Sequence, residues 1–279
     1  MPKVSIVVPS YNSAEFIAAT IESIEAQTFS DYEIIVSDHS STDGTAEILQ
    51  RYADEGRIKL TTLASGGGAP ANWRAVTELA TGQYLKLVCG DDLLAPTILA
   101  EQVAALDSNP RAVMAASKRD LVDAQGKRII PPRGLGGLNG VMPGHVAVRR
   151  SVLRGTNIFG EPGCVLLRHE SFREAGGWTD AQPYVIDQFS YCQVLMLGDF
   201  VTVPGSLASF RISDGQWSVE LTHRQAAQVI GMHHDLADRY PGLLSRRDLL
   251  IGDSRARLMA SARRLTYLWL GRRMRAGNR

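Results

Sequence analysis

The chain has few cysteines and no long apolar run. Three of its 279 residues are cysteine, and Cys89, Cys164 and Cys192 lie far apart. They offer neither metal-ligand spacing nor a disulfide framework, so we expect a reducing, cytoplasmic environment. No apolar stretch is long enough to span a bilayer, and the chain opens on a strand-like run without the basic segment of a signal peptide. These absences favour a cytoplasmic globular protein.

Two phosphate-binding glycine motifs are also missing. No Gly-x-Gly-x-x-Gly run follows the first predicted strand, and the three glycines at residues 66–68 have the wrong spacing and context for one. A Gly-Lys-Ser/Thr loop is absent as well. The sequence therefore disfavours a dinucleotide-binding Rossmann protein and a P-loop nucleotidase.

Positive charge is concentrated at the C-terminal end. Residues 253–279 contain eight arginines and one aspartate, a local charge of +7, so a total of +1 leaves −6 for the other 252 residues. A general nucleic-acid-binding protein would present a larger basic surface. We therefore expect no nucleic-acid partner and treat the C-terminal tail as a separate element.

Strand-like and helix-like segments alternate in the first half of the chain. The predicted strands are residues 4–8, 33–36, 58–63 and 84–88. This alternation predicts an α/β fold whose largely parallel sheet is covered by helices. Residues 131–163 are rich in glycine and proline, and we expect a loop excursion or lid there.

Two adjacent acids follow the fourth predicted strand. The strand-forming run at residues 84–88 is followed, after two residues, by Asp91 and Asp92. Open α/β sheets bind ligands in the crevice beyond the carboxyl ends of their strands. Carboxylates there can hold Mg²⁺ or Mn²⁺ against the oxygens of a diphosphate. The alternative is that both acids cap a helix that begins near Leu93.

Polar residues and an aromatic ring follow the first two predicted strands. Pro9 and Tyr11 come after the first, and Asp38 and His39 after the second. A ring and small polar groups at such a place can stack on a nucleobase, and Asp38 can accept the imide N–H of a pyrimidine. Taken alone, ordinary turn chemistry explains the first segment better. A histidine in such a loop is more often partly exposed than a ligand or a base.

Together these segments resemble family 2 glycosyltransferases. The resemblance is carried by residues 4–12 (VSIVVPSYN), residues 37–45 (SDHSSTDGT), and Gly82-Gln83-Tyr84 leading to Asp91-Asp92, in the family's order and separation. It covers about residues 3–215 and is weakest between about 118 and 160. It implies the GT-A fold, a Rossmann-like, mostly parallel sheet with helices on both faces. The rest of the chain would add a C-terminal helical extension.

The resemblance also implies how the chain is organised. Residues 1–118 would form the nucleotide-sugar-binding half, residues 119–222 the acceptor-binding half of the same domain, and residues 223–279 a helical region ending in the basic tail. The implied donor is a nucleotide-diphosphate sugar. The implied cofactor is Mg²⁺ or Mn²⁺, and the implied reaction inverts the anomeric carbon.

Residues that match the family's donor-binding positions lie in these motifs. The base-contacting positions are Pro9, Tyr11 and Asp38. Asp91 matches the metal-contacting second acid of the Asp-x-Asp motif, and Asp92 is the acid that commonly follows it, so both are candidate metal ligands. Cys89 stands where many members have the first Asp of that motif. His39 stands where many have a second Asp.

Three further residues match positions in the acceptor half. Asp187 matches the Asp of a Glu-Asp motif, with Ile186 in place of the Glu, and is the candidate base for the acceptor hydroxyl. Otherwise it is a helix cap, and in either case the helix dipole would lower its pKa. Trp178 either stacks on an acceptor sugar or belongs to the core. Arg211, in a segment that resembles the one closing over the diphosphate, pairs with phosphate oxygens or forms a surface salt bridge.

The basic tail has an apolar stripe. Leu258, Ala262, Leu265 and Trp269 recur at helical spacing among the arginines. A basic amphipathic helix of this kind can lie on an anionic membrane surface. Alternatively, the stripe packs on the catalytic domain or on a second subunit.

The leading hypothesis is a metal-assisted inverting glycosyltransferase of cell-surface polysaccharide biosynthesis. It would move a sugar from a UDP- or dTDP-linked donor to a glycan or lipid-linked saccharide acceptor. One alternative is a catalytically silent nucleotide-sugar-binding module, which Cys89 and Ile186 keep open. A sugar-phosphate nucleotidyltransferase is a weaker alternative, because that class needs a glycine-rich basic loop after the first strand. We expect a cytoplasmic protein, peripheral on the inner membrane face if the tail binds lipid.

Overall fold

A single mixed sheet organises the residues described by the computed structural model, which are 1–212 and 225–277, with side chains as far as Arg263. The strands are β1 (Val4–Ser10), β2 (Tyr32–Asp38), β3 (Lys59–Thr62), β4 (Tyr84–Leu87), β5 (Leu93–Leu94), β6 (Ala112–Val122), β7 (Arg128–Arg133), β8 (Val141–Pro143), β9 (Val165–Arg168) and β10 (Asp199–Arg211). The α-helices are α1 (Ile17–Glu25), α2 (Thr45–Asp54), α3 (Gly68–Glu78), α4 (Ile98–Asp107), α5 (Gly144–Arg154), α6 (His169–Glu174), α7 (Ile186–Leu195), α8 (Gln225–Arg239) and α9 (Arg246–Gly277). The rest of the segment that follows Arg211, from residue 213 to residue 224, lies outside the described residues.

The strand order brings several chain segments to one edge of the sheet. The order is β3-β2-β1-β4-β9-β6-β10-β5, with β7 beside β6 and β8 beside β10. β1 is parallel to β2 and to β4, and β2 is parallel to β3. β9 inserts antiparallel between β4 and β6. The carboxyl ends of β1, β2 and β4 therefore share an edge with the amino end of β9. The predicted α/β architecture is confirmed.

Burial on both faces explains the composition of the central strands. Every residue of β1 is buried, and four of its seven residues are valine or isoleucine. A strand that is covered on both sides has a continuous run of apolar residues rather than alternating apolar and polar residues. β4 shares this burial but contains Lys86, which is 0% exposed. Its ammonium donates to Gln102 Oε1 at 2.9 Å and to the carbonyl of Val165 at 3.2 Å, and burial lowers its pKa to about 7.

Residues 131–163 are more regular than the sequence predicts. The expected loop excursion contains the end of β7, all of β8 and the eleven-residue helix α5. Gly144 begins α5 in close contact with main-chain oxygens of Leu195 and Gly198, where a side chain would overlap them. The glycine content thus reflects tight packing at this point. The prediction of a loop excursion is wrong for this segment, because composition does not distinguish a close backbone approach from a loop.

The C-terminal helices pack on the domain through one face of α9. Ala256 and Ala260 are 2% and 7% exposed, and Arg255 donates to the carbonyl of Leu153 at 2.7 Å. Leu258, in the predicted apolar stripe, is 67% exposed, so its side chain is not packed on this domain. Within the described residues, no helix combines the length and the hydropathy that crossing a membrane requires.

Candidate active site

The ends of β1 and β2 form a buried polar site. Ser10 pairs in register with Asp38, and Pro9 lies inside β1 opposite Ser37. Asp38 is 3% exposed; its Oδ2 accepts a hydrogen bond from the Ser41 amide at 3.2 Å, whereas its Oδ1 has no partner. A buried carboxylate oxygen without a donor is costly. This oxygen is therefore placed to accept a hydrogen bond from a ligand.

Other buried polar atoms lie at the same edge of the sheet as this carboxylate. Ser10 Oγ, Ser37 Oγ and Asn72 Oδ1 are also buried without a hydrogen-bond partner. Asn72, from α3, donates through Nδ2 to the Ser10 carbonyl at 3.2 Å, which attaches it to the end of β1. The sequence does not single out Asn72, because its neighbours Trp73 and Val76 give it the pattern of an ordinary amphipathic helix. The concentration of unsatisfied groups at this edge indicates a polar ligand.

Tyr11 and His39 lie side by side at the mouth of this site. Tyr11 is 62% exposed, and its ring centroid is 6.1 Å from that of His39. His39 is only 6% exposed; its Nε2 lies 2.9 Å from the Gly66 carbonyl, and its amide donates to the Ser10 carbonyl at 3.0 Å. The expectation of a partly exposed histidine is therefore wrong. His39 joins the β1 turn to the loop before α3, and Tyr11 supplies the open ring face.

A tight turn gathers the groups that follow β4. The amide of Asp92 donates to the carbonyl of Cys89 at 3.1 Å, which closes a turn through Gly90 and Asp91. The thiol of Cys89 and one oxygen from each aspartate lie within 4.8 Å of one another. The next element is strand β5 rather than a helix, so the helix-cap alternative for the two acids is wrong. Sulfur and oxygen donors at this spacing can hold a divalent cation.

Arg211 fixes this turn from the far end of β10. Its amide donates to Asp92 Oδ1 at 3.2 Å, and its Nε donates to the main-chain carbonyl of Asp91 at 2.9 Å. Its Nη1 donates to the carbonyls of Asp123 and Ala124 at 3.2 and 2.6 Å. The residue is 4% exposed, so the alternative of a surface salt bridge is wrong. Pairing with diphosphate oxygens stays a prediction, whereas the role of Arg211 in holding the acidic turn is visible.

Asp187 lies in the first turn of α7 and is held at both oxygens. Its Oδ1 accepts the Gln188 amide at 2.6 Å, and its Oδ2 accepts Asn157 Nδ2 at 2.9 Å. Val185 is the N-cap residue, so the cap alternative for Asp187 is wrong. Burial raises the pKa of Asp187 to about 7, and the nearby charge of Glu161 contributes. The expected lowering of this pKa is therefore wrong, because burial outweighs the favourable helix dipole and hydrogen bonds.

Glu161 is an acid of the site that the sequence does not reveal. It forms a close ion pair with Arg119, in which the Nη2 of Arg119 lies 2.7 Å from Oε1. Glu161 immediately precedes the 3₁₀ turn (Pro162–Cys164) that leads into β9. Because β9 runs antiparallel to β4, this position lies at the edge where β4 ends. Because Glu161 lies in the glycine- and proline-rich stretch, no local pattern in the sequence marks it as a site residue.

These acids surround one thiol. Cys89 is half-buried, and burial raises the pKa of its thiol, followed in order by the charges of Asp92, Asp91, Asp187 and Glu161. Burial also raises the pKa of Asp92 well above its usual range, with Asp91 as the next cause. Two motifs that lie almost a hundred residues apart in the sequence therefore both act on the Cys89 thiol. The concentration of negative charge favours a bound cation.

Trp178 is a core residue. It is 4% exposed, its Nε1 donates to Thr77 Oγ1 at 2.9 Å, and its ring centroid lies 4.8 Å from that of Phe172 and 5.1 Å from that of Trp73. Rings packed in this way leave no face open to a sugar. The prediction of acceptor stacking by Trp178 is wrong, and the core alternative fits.

The fold and the site define an α/β protein of the GT-A type. Residues 5–176 match the family model described as Glycosyl transferase family 2. The chain belongs to this family, which confirms the resemblance inferred from the sequence.

Known proteins similar to this chain carry glycosyltransferase names. EpsE of Bacillus subtilis (strain 168), named as a glycosyltransferase, is 35% identical over 135 residues, which cover 47% of this chain and 49% of EpsE. Poly(ribitol-phosphate) beta-N-acetylglucosaminyltransferase TarS of Staphylococcus aureus (strain MW2) is 31% identical over 117 residues, 41% of this chain and 20% of TarS. The chain thus spans half the length of these relatives or less.

Solved structures show the same fold at low identity. TarS 1-349 of S. aureus in complex with UDP-GlcNAc has a TM-score of 0.65 at 17% identity, covering 82% of this chain and 66% of that one. Mannosyltransferase PcManGT from Pyrobaculum calidifontis, in complex with GDP-Man and Mn2+, has a TM-score of 0.61 at 18% identity, covering 98% and 80%. Both likenesses concern the fold alone.

Replacing Arg211 by methionine tests its role in holding the acidic turn. The change leaves three part-buried main-chain carbonyls without their guanidinium donors, so we expect the free energy of unfolding to fall by about 3 kcal/mol. Urea unfolding measures this loss. Arg133→Met, at an exposed position, is the control and should change stability by less than about 0.5 kcal/mol. Equal unfolding midpoints for the two variants would contradict the assignment.

Proposed function

We propose that this chain is an inverting glycosyltransferase that uses a nucleotide-diphosphate sugar, with a UDP- or dTDP-linked donor favoured. The observation that carries the proposal is the meeting of Asp91 and Asp92 with Asp187 around Cys89. A metal-binding pair and a separate, half-buried carboxylate are what an inverting transfer needs. The acceptor would be a glycan or a lipid-linked saccharide in cell-surface polysaccharide biosynthesis, which family membership and the names of relatives support.

The nucleotide would bind at the ends of β1 and β2. The free Oδ1 of Asp38 is a buried acceptor, and an imide N–H of uracil or thymine is a matching donor. The exposed ring of Tyr11 can stack on the base, and Pro9 shapes the strand beneath it. These three residues are proposed donor contacts.

The donor set after β4 fits Mg²⁺ or Mn²⁺. Asp91 and Asp92 offer carboxylate oxygens, the ligands that such hard cations prefer. Asp92 is 2% exposed beside Asp91, so its ionised form is unfavourable without a nearby positive charge. When bound, the cation would neutralise charge on the departing diphosphate. Arg211 holds the turn that presents both acids.

Asp187 would remove the proton from the acceptor hydroxyl as that oxygen attacks the anomeric carbon. Each oxygen of Asp187 accepts one hydrogen bond, from Gln188 or from Asn157, and keeps a lone pair for the acceptor. A pKa of about 7 suits a base that works near neutral pH. Asn157 also donates to the Gly160 carbonyl at 2.9 Å, so it joins the base to the segment that carries Glu161.

Replacing Asp187 by asparagine is expected to separate catalysis from donor binding. The rate of nucleotide release should fall by about 10²–10⁴-fold because the base is lost, while UDP binding should remain because no donor contact changes. The measurements are nucleotide release from UDP-GlcNAc, UDP-glucose and GDP-mannose with Mn²⁺, and calorimetric titration with UDP. Asp180→Asn, whose side chain is 64% exposed, is the control. A near-normal rate in Asp187→Asn would remove it as the base.

The pH dependence of the rate provides a second test of Asp187. Its raised pKa of about 7 means that the protonated, inactive form predominates below pH 7, so the rate should fall about tenfold per pH unit there. Glu161→Gln removes a neighbouring negative charge and leaves Arg119 unpaired, and both effects favour ionised Asp187. The fall in rate on the acid side of the pH–rate profile should therefore move to lower pH. A fall that moves to higher pH, or stays in place, would contradict this role of Glu161.

A catalytically silent nucleotide-sugar-binding module is the main alternative. Cys89 and Ile186 replace acids that many family members have, and this favours it. The same assay separates the two functions, since a silent module binds UDP with Mn²⁺ but releases no nucleotide from any donor. A nucleotidyltransferase is disfavoured, because the turn after β1 contains Tyr11 and Asn12 rather than a glycine-rich basic loop.

We also propose that the C-terminal tail attaches a cytoplasmic enzyme to the inner membrane face. Leu258 is 67% exposed on α9, so an apolar side chain of the stripe faces outward from the domain. The surrounding arginines favour an anionic lipid surface over neutral lipid. Deleting residues from 253 onward would remove the packed residues Ala256 and Ala260, so a folded truncation has to begin later.

Deleting residues 264–279 tests the membrane role. This segment contains five arginines, each worth about 1 kcal/mol near an anionic surface, so its removal should abolish binding. Co-sedimentation with phosphatidylglycerol vesicles is the measurement, phosphatidylcholine vesicles are the control, and an unchanged melting temperature shows that folding is intact. Undiminished sedimentation of the truncated chain would rule the role out.

A further inference from the structure

The turn after β4 brings a sulfur atom, as well as two carboxylates, to the proposed metal site. The thiol of Cys89 and oxygens of Asp91 and Asp92 lie within 4.8 Å of one another. An ion about 2.3 Å from sulfur and about 2.2 Å from oxygen can have such ligands at most about 4.5 Å apart. Small movements of the three side chains would therefore bring these groups around one ion.

We propose that Cys89 is a ligand of this metal site, which makes it a mixed sulfur and oxygen site. The inference rests on the proposed function and specifies its metal. Thiolates favour borderline and soft ions, whereas Mg²⁺ demands oxygen ligands and gives up its waters reluctantly. The site therefore disfavours Mg²⁺ relative to Mn²⁺ and binds the thiophilic ions Zn²⁺ and Cd²⁺ most tightly.

The surroundings of Cys89 favour this role over a purely packing one. The side chain is half-buried and faces Asp91, Asp92, Asp187 and Glu161. Acids rather than apolar groups alone surround the sulfur, and this points to a cation. When the ion binds, the S–H bond breaks, its proton passes to solvent and a sulfur–metal bond forms, so no oxidant or reductant is needed.

The other two cysteines provide matched controls. Cys164 and Cys192 are 1% and 0% exposed, and all three cysteines are free thiols. Cys164 precedes β9, and Cys192 lies within α7. Neither belongs to the group of possible metal ligands found in the described residues. A signal that arises from sulfur coordination can thus be assigned by substituting the cysteines one at a time.

The experiment is a titration of the full chain with Cd²⁺ in the presence of UDP, followed by sulfur-to-cadmium charge-transfer absorption in the ultraviolet. We expect a band in the wild-type protein and in Cys192→Ala and Cys164→Ala, and no band in Cys89→Ser. The affinity for Cd²⁺ should fall at least about tenfold in Cys89→Ser. Cys89→Asp should lack the band and bind Mg²⁺ more tightly than the wild type, relative to Mn²⁺. Circular dichroism checks that each variant is folded.

Two results would overturn the proposal, and they differ in what they say about the function. If Mn²⁺ and UDP bind together but no band forms, or the band persists in Cys89→Ser, the carboxylates alone hold the metal and the proposed glycosyltransferase function stands. If UDP binding is unaffected by any divalent ion, both the sulfur ligand and the metal-assisted reaction are wrong. Competition of Mg²⁺ with Cd²⁺ on equal terms would also contradict the proposed selectivity.

Discussion

Hydrogen bonding between neighbouring strands fixes the positions of Asp38 and of the turn with Asp91 and Asp92. β1 pairs with β2 from Val4 opposite Tyr32 to Ser10 opposite Asp38, so both strands end at the same level. β4 pairs with the other side of β1, which brings the turn with Asp91 to that level as well. A slip of one residue would turn every side chain of the strand to the opposite face of the sheet. The sheet register is thus the constraint on which the chemistry depends.

The site concentrates like charges at a cost to stability. Asp92 and Asp187 have raised pKa values mainly because they are buried, and each is also affected by another acid. Two unit charges 4 Å apart repel by about 4 kcal/mol near a protein surface, against about 1 kcal/mol in water. Arg119 and Arg211 offset part of this repulsion, the first by an ion pair and the second through hydrogen bonds. A bound cation would offset more, so the arrangement suits ligand binding rather than stability of the empty protein.

The sequence predicts the parts of the site that depend on local signals. The ends of β1, β2 and β4 are marked by apolar runs followed by polar residues, and Asp38 and Asp91 were found in this way. Glu161 depends on the antiparallel insertion of β9, which no local pattern indicates. The sequence leaves two roles open for Trp178, because an aromatic residue before a loop can pack in the core or stack on a sugar. Its burial follows from packing between helices that are distant in the sequence.

The substitution of Ile186 for an acid has a structural explanation. Ile186 is 2% exposed, so a glutamate side chain in the same position would be buried in the core of this protein at a high cost. Glu161 supplies a second acid near Asp187 from a different segment, where Arg119 compensates its charge. Asn157 connects this segment to Asp187 by direct hydrogen bonding. The acidic environment of Asp187 can therefore be preserved while the residue next to it in the sequence changes, because the fold brings the two segments together.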